Sequence, residues 1–200
     1  MTQAQSSKGV VMLEDVRIAF AHGLFTASQV QGQGKPAFSA SFLFPKTHAA
    51  YNILQKAMLE VAEAKWPGKG RETLQALIAG NRIAMRDGAS KPEIAGYPGN
   101  WFVSARSYVQ PTVIDGKRNV LTAASGKPYS GCYVNARLNI WAQQHSQYGK
   151  RINAQLTGVQ FVRDGEPLAG GGAAGVEDFG EIEESAQAGA EFGADLFGTT

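Results

Sequence analysis

PYSGCYVNARLNIWAQQHSQYGKRINAQLTGVQFVR, residues 128–163, predicts a long β-hairpin. Successive side chains of an extended strand point to opposite faces. One face of the first arm is apolar throughout and consists of Cys132, Val134, Ala136, Leu138, Ile140 and Ala142. The second arm repeats the pattern with Ile152, Ala154 and Leu156, and the phase slips at Gly158, which predicts a bulge there. This face of the hairpin therefore belongs in a core.

The opposite face of the hairpin is polar and aromatic. Its first arm carries Tyr133, Asn135, Arg137, Asn139 and Trp141, and the tip adds Tyr148, Lys150 and Arg151. Rings interleaved with cations are typical of surfaces that bind single-stranded nucleic acid, because every base has a π-face and every nucleotide a negative charge. The structural alternative is that these outward rings only cover a neighbouring helix or loop. The site prediction therefore needs support from the rest of the chain.

The charge of the chain is divided unevenly. Its 19 basic residues and ten of its 17 acidic residues lie in residues 1–168, which gives this segment a formal charge of +9. The remaining seven acidic residues lie in residues 169–200, which hold no Lys or Arg. We expect residues 1–168 to form one nucleic-acid-binding domain, and residues 169–200 to form a Gly-rich linker and a disordered acidic tail.

The segments before the hairpin predict further strands and two helices. Alternating patterns in VVMLEDVRIAF, LFTASQV and PAFSASFLF indicate three strands. A helix capped by Thr47 follows and runs to about Lys65, and a shorter one runs from Arg71 to Ala79. The order predicts a mainly β chain with inserted helices, an OB-fold-like Greek-key barrel, with about 50 inserted residues between the helices and the hairpin. A generic α+β domain is the alternative.

Two more strand faces bear on the site. Residues 101–109 alternate so that Arg106 and Tyr108 share a face, and both join the candidate nucleic-acid-binding residues. Phe38, Phe42 and Phe44 share a face of the third strand. We expect this face to lie in the core and not to serve as a base-stacking platform, because the opposite face carries only small side chains and one leucine.

Several segments of the chain resemble the bacteriophage single-stranded DNA-binding proteins of OB-fold type. They are PYSGCYVNARLNIWAQ, GKRINAQLTGVQFVRDGEPL, FSASFLFPKT before a helix, and ADLFG in the acidic tail. The resemblance implies a phage-encoded protein of the bacterial cytoplasm that coats and protects ssDNA in replication and recombination. It also implies a tail that recruits replication or recombination proteins through Asp195, Leu196 and Phe197 and competes with DNA. Such tails commonly end on Phe, whereas three more residues follow Phe197 here.

Enzyme classes find little support in the sequence. The three histidines are scattered, Cys132 is the single cysteine, and no Gly-rich stretch carries the Lys and Ser/Thr of a phosphate loop. We expect no catalytic activity, no metal, no cofactor and no membrane segment, and a buried Cys132 in a reducing compartment. An RNA-binding module, or a phage structural or adaptor protein that turns the Tyr/Trp face toward protein, remains as an alternative function.

Overall fold

The computed structural model of the protein describes residues 9–30 and 33–168. These residues form eight strands and two α-helices. In chain order they are β1 (Val10–Ala19), β2 (Ser28–Val30), β3 (Gln33–Phe44), α1 (Ala49–Lys65), α2 (Gly70–Ala79), β4 (Met85–Asp87), β5 (Trp101–Ser107), β6 (Thr112–Ile114), β7 (Tyr133–His145) and β8 (Gly149–Arg163). The predicted disordered tail lies outside the described residues.

Five of the strands close into a barrel. β1 pairs with β3, β3 with β5, β5 with β8, β8 with β7, and β7 with β1. The β5–β8 pair is parallel, and the other four pairs are antiparallel. A five-stranded Greek-key ring is the architecture of an OB-fold, so the predicted fold class is confirmed. β2, β4 and β6 pair with the barrel strands from outside the ring.

The predicted hairpin is the longest paired element of the barrel. β7 and β8 pair from Tyr133 and Arg163 to His145 and Gly149. The register shifts where Arg137 faces Gly158, which confirms the predicted bulge. Before the bulge, every predicted inward residue of both arms is buried except Ala142, which is half-buried; beyond it, where Val159 and Phe161 are the apolar members, Val159 is buried and Phe161 is half-buried. Alternation therefore predicted correctly which side of the hairpin faces the core.

The two helices close one side of the barrel. α1 buries a stripe of residues at helical spacing, namely Ala50, Leu54, Ala57, Met58, Val61 and Ala62. The predicted cap at Thr47 is wrong: His48 takes that position, and its Nδ1 accepts a hydrogen bond from the Ala50 backbone N–H at 3.1 Å. A ring nitrogen can accept this bond as a hydroxyl does, so a histidine can begin a helix in place of threonine.

The predicted placement of the helices relative to the barrel strands is wrong. LFTASQV does not form a barrel strand, because residues 21–24 form a 3-10 turn that buries Leu24 and only Ser28–Val30 are extended. The third barrel strand is β5, which lies within the segment predicted as an insertion. The helices therefore separate the second barrel strand from the third.

A second, smaller cluster of apolar residues fixes the long loop between β4 and β5. Tyr97 is fully buried there, with its ring centroid 4.8 Å from that of Phe102. Leu43 and Leu168 are buried in the same cluster, on the face of β3 opposite Phe42 and Phe44. Phe42 and Phe44 lie in the main core, as predicted, whereas Phe38 is only half-buried and is not part of that core.

Candidate nucleic-acid interface

A large groove on the described part of the protein is lined by four arginines. It measures about 670 Å³, and we call it the arginine groove. Its charged and aromatic lining consists of Arg82, Arg86, Arg106, Arg151, Tyr108, Trp141 and Tyr148. None of the described residues that line it is an aspartate or a glutamate. A concave surface with cations and without carboxylates concentrates positive potential, which attracts a phosphate backbone.

The turn between β7 and β8 is held over one end of this groove. Arg82 donates a hydrogen bond to the Tyr148 carbonyl oxygen, and His145 Nδ1 accepts from the backbone N–H of Gln147 at 3.1 Å. The His145 and Tyr148 rings lie 4.8 Å apart. Gly149 has a φ of 69°, which a residue with a Cβ rarely adopts. The turn thus presents Tyr148, which is 58% exposed, at the mouth of the groove.

Trp141 supplies the aromatic wall on the β7 side. It faces outward opposite Asn153, and it is 42% exposed although it lines a groove. Gln143 and Asn153 share a hydrogen bond of 2.9 Å beside it, which fixes the polar floor next to the ring. A partly exposed indole in a fixed frame can stack on a base without a large ordering cost.

β5 supplies the opposite wall. Arg106 donates from Nη2 to the Lys35 carbonyl oxygen at 2.8 Å, and its guanidinium lies 5.7 Å from the centre of the Tyr108 ring. Tyr108 is 65% exposed. The groove therefore has an exposed ring on each side, with guanidinium groups between them.

The structure separates the two cations predicted at the hairpin tip. Arg151 lines the arginine groove, whereas the Lys150 ammonium lies 5.1 Å from the centre of the Trp66 ring at the end of α1. Trp66 is buried and donates from Nε1 to Gln144 at 2.8 Å. Lys150 shares the inward phase of Ile152, so alternation places it on the opposite side of the hairpin from Arg151.

A second groove lies farther along the same outward face, between β7, β8 and β6. It measures about 290 Å³ and contains the predicted residues Asn135 and Arg137; we call it the amide groove. Asn135 donates to Gln160 at 3.1 Å, and Arg137 donates to Thr157 at 3.2 Å. Asn139 lies between the two grooves on β7. Arg137 is the one charged side chain among the described residues that line the amide groove.

Tyr133 lies beyond the amide groove and is already covered. The Arg163 guanidinium lies 3.4 Å from the centre of the Tyr133 ring and pairs with Asp15 at 2.9 Å. The Tyr133 ring face is therefore occupied by the protein's own cation. Its predicted role in binding stays a prediction, as does that of Asp195, Leu196 and Phe197, which lie outside the described residues.

Sequence reasoning missed two residues of the arginine groove. Arg86 lies in the short strand β4 and Arg82 lies shortly before it, and the pairing of β4 with β5 brings both into the groove that Arg106 lines. The Arg86 guanidinium lies 5.1 Å from the centre of the Phe102 ring. The segment NRIAMR is visibly basic in the sequence. Its strand β4 pairs over only three residues with β5, about 16 residues later, so no local sequence pattern predicts that its arginines reach the groove.

Among the described residues, the other side chains that could take part in catalysis or metal binding do not come together in a site. Burial raises the pKa of the Cys132 thiol to about 11, so this buried side chain stays protonated, in line with its predicted place in the core. Within the described part of the chain no three His, Cys, Asp or Glu side chains are grouped as metal ligands. Neither described helix combines the length and apolarity needed to cross a membrane.

Comparisons with known proteins show what the chain is similar to. The family model of the Enterobacter phage Enc34 ssDNA-binding protein matches residues 9–189. Putative protein p50 of Acyrthosiphon pisum secondary endosymbiont phage 1 is 41% identical over 175 residues, which cover 86% of this chain and 93% of that protein.

Solved structures of phage single-stranded DNA-binding proteins are similar to the chain as well. The bacteriophage Enc34 single-stranded DNA-binding protein in complex with ssDNA is 28% identical, with a TM-score of 0.65 over 80% of this chain and 89% of that one. A second structure of the Enc34 protein has a TM-score of 0.64 over 87% of this chain and 94% of that one, at 27% identity. Bacteriophage T7 gp2.5, at 12% identity and a TM-score of 0.51 over 90% of this chain and 98% of that one, shares the fold.

Proposed function

The chain belongs to the family of the phage Enc34 ssDNA-binding protein, and we propose that it binds single-stranded DNA through the arginine groove, with little dependence on sequence. The observation that carries the proposal is the lining of this groove: four guanidinium groups and three exposed rings, without a carboxylate among the described lining residues. The guanidinium groups attract phosphates, and the rings stack on bases of any kind. The Enc34 relative was solved in complex with ssDNA.

This mode of binding supports a proposal for the biological role. A protein that holds bases by stacking and phosphates by charge covers any exposed single strand, so we propose that it coats and protects ssDNA during phage DNA replication and recombination, in the cytoplasm of the bacterial host. We propose no catalytic role for it, because the groove holds binding groups and its charged side chains are all arginines.

A titration with oligo(dT), followed by tryptophan fluorescence, tests the proposal. Trp141 lines the groove, whereas Trp66 is buried and Trp101 lies 5.0 Å from the Tyr51 ring outside it. We expect oligo(dT) to quench the fluorescence. The variant Trp141→Phe keeps a ring for stacking, and it should therefore keep most of its affinity while it loses most of the quenching.

The outcomes of this titration separate the alternatives. Preference for oligo(U) over oligo(dT) in competition would make the protein an RNA-binding module. Absence of binding to either oligomer would refute the proposal and leave the structural or adaptor role. Equal quenching in wild type and Trp141→Phe would place the strand outside the arginine groove.

We further propose that the acidic tail competes with DNA and recruits partners. A tail of charge −7, tethered beside a segment of charge +9, has a local concentration that can reach about millimolar. DNA would displace it and free Asp195, Leu196 and Phe197 for a replication or recombination protein.

Deletion of residues 173–200 tests the competition. We expect tighter ssDNA binding at low ionic strength, and a difference that shrinks as salt screens both competitors. A matched control keeps the length of the tail and replaces its seven acidic residues by Asn or Gln, and it should bind as tightly as the deletion. Equal affinity of the full chain and the deletion at low salt would refute the competition.

A further inference from the structure

A shallow depression extends the arginine groove toward the end of β1. It measures about 230 Å³ and shares Ser104 and Arg106 with the arginine groove. Its other lining residues are Phe20, Ser28, Ala37, Ser39, Ala40, Ser41 and Ala105. The two cavities therefore form one continuous surface across β5 and β3, and we call the second part the Phe20 depression.

The floor of this depression consists of small side chains. Ser41 pairs with Ser104 across β3 and β5, and their hydroxyl oxygens lie 3.0 Å apart. Ser39 pairs with Arg106 in the same register. Because serine and alanine rise little above a sheet, a planar ring can lie on this part of the barrel without displacing a side chain.

Phe20 forms the wall at the far end, and its backbone is strained. It has a φ of 59° and a ψ of 41°, a left-handed conformation that is an outlier for a bulky residue. Its side chain is nevertheless 41% exposed, so little burial offsets the strain. The ring lies 6.4 Å from that of Tyr97, which is fully buried and therefore fixes one side of it.

The charge in the lining of the depression favours an anion. Arg106 stands at the junction with the arginine groove. The described residues that line the depression include neither aspartate nor glutamate. The depression thus combines an exposed ring, a flat floor and a cation, the combination that binds one nucleotide.

We propose that the Phe20 depression binds a further nucleotide of the same DNA strand, with its base stacked on Phe20 and its phosphate near Arg106. This inference rests on the proposed function, since it extends the strand that occupies the arginine groove. It explains why a strained, exposed phenylalanine occupies a position where glycine would relieve the backbone: the ring serves binding and not folding.

The variant Phe20→Gly tests this inference, because it is expected to weaken binding without lowering stability. Glycine adopts a φ of 59° without strain, so the melting temperature of the full chain should stay the same or rise. Loss of a stacked base should weaken binding of long oligo(dT), about 16 nucleotides, by about fivefold or more. Oligo(dT) of about 4 nucleotides fills only the arginine groove, so its affinity should not change.

Two parallel variants make the result decisive. Phe20→Leu keeps the strain and the apolar contact but has no π-face, so it should melt as the wild type does and lose affinity for the long oligomer. Trp141→Ala tests the arginine groove itself. If Trp141→Ala weakens binding while Phe20→Gly and Phe20→Leu bind every length as the wild type does, the Phe20 inference is refuted and the proposed function stands.

The remaining outcomes also distinguish a failure of the Phe20 inference from a failure of the proposed binding in the arginine groove. A Phe20→Gly variant that melts earlier and loses affinity equally at all lengths would show that Phe20 serves the fold, which overturns the inference. Full affinity of Trp141→Ala for all lengths would instead refute binding in the arginine groove.

Discussion

The arginine groove and the amide groove are built from the same hairpin but differ in chemistry. Both take outward side chains of β7 and β8, and both are open to solvent. The arginine groove is completed by β4, β5 and the residues next to them, which add Arg82, Arg86, Arg106 and Tyr108, and by the hairpin turn, which adds Tyr148. The amide groove is completed by β1 and β6, which add Met12, Thr112 and Ile114.

This difference teaches that the neighbouring strands, and not the alternation within one strand, decide what an outward face can bind. Trp141 is poised to stack because guanidinium groups from other elements surround it, whereas Asn135 and Arg137 make hydrogen bonds to β8. We therefore expect DNA affinity to depend strongly on the arginine groove and weakly on the amide groove.

The largest effect is expected from Leu138→Ala, which truncates the core beneath both grooves. Leu138 is fully buried in β7, so the free energy of unfolding should fall by about 2–5 kcal/mol. The variant should still bind ssDNA with wild-type affinity at a temperature where it is folded, which chemical denaturation and a binding titration would check. A folded variant with weak binding would show that the core sets the groove geometry more directly than we infer.

Trp141→Ala should produce the largest loss of affinity. Removal of one stacking ring weakens binding by about 1–3 kcal/mol, and the stability should change little because the side chain faces outward. Fluorescence anisotropy with labelled oligo(dT) measures the first quantity, and thermal melting measures the second. Early melting with full affinity would mean that the indole is a structural cover.

A matched pair of arginine variants compares the two grooves directly. Arg151→Gln should lower the slope of log affinity against log salt by about 0.7, the value for one lost phosphate contact on a single strand. Arg137→Gln removes the same charge from the amide groove and should leave the slope unchanged. An equal loss of slope in the two variants would extend the DNA path into the amide groove.

The smallest effect on affinity is expected from Tyr133→Ala. The ring is covered by Arg163, so the change in binding should stay within about 0.5 kcal/mol. Loss of the cation–π contact should lower the free energy of unfolding by about 0.5–1 kcal/mol. A loss of affinity similar to that of Trp141→Ala would restore Tyr133 to the DNA-binding site predicted from the sequence.

The sequence predicted the hairpin well because alternation is a local property. Each residue from Cys132 to Ile140 lies on the face that its phase predicts, and the bulge at Gly158 shows in the register. The fold class of the barrel was predicted correctly, but its third strand, β5, was assigned to an insertion. The pairing of β5 with β3 and β8 depends on contacts between residues distant in sequence, which local patterns do not show.

The candidate site was predicted only in part, for the same physical reason. Alternation identifies Trp141 as outward, but it does not say that β4 brings Arg82 and Arg86 beside it. It also does not reveal that Arg163 covers Tyr133, since these residues pair across two strands and alternation describes only one strand at a time. The serine face of β3 gave no sign of a binding role in the sequence. Small side chains offer a flat surface for a base only when an exposed ring such as Phe20 stands beside them, and that neighbour is known only from the structure.

Ultraviolet cross-linking of oligo(dT) to the full chain, with the cross-linked residues identified by mass spectrometry, tests the central claim most directly. We expect cross-links at Trp141, Tyr148 and Tyr108, the three rings of the arginine groove. Cross-links at Tyr133 or in β6, with none at these three rings, would contradict the assignment of the DNA path to the arginine groove.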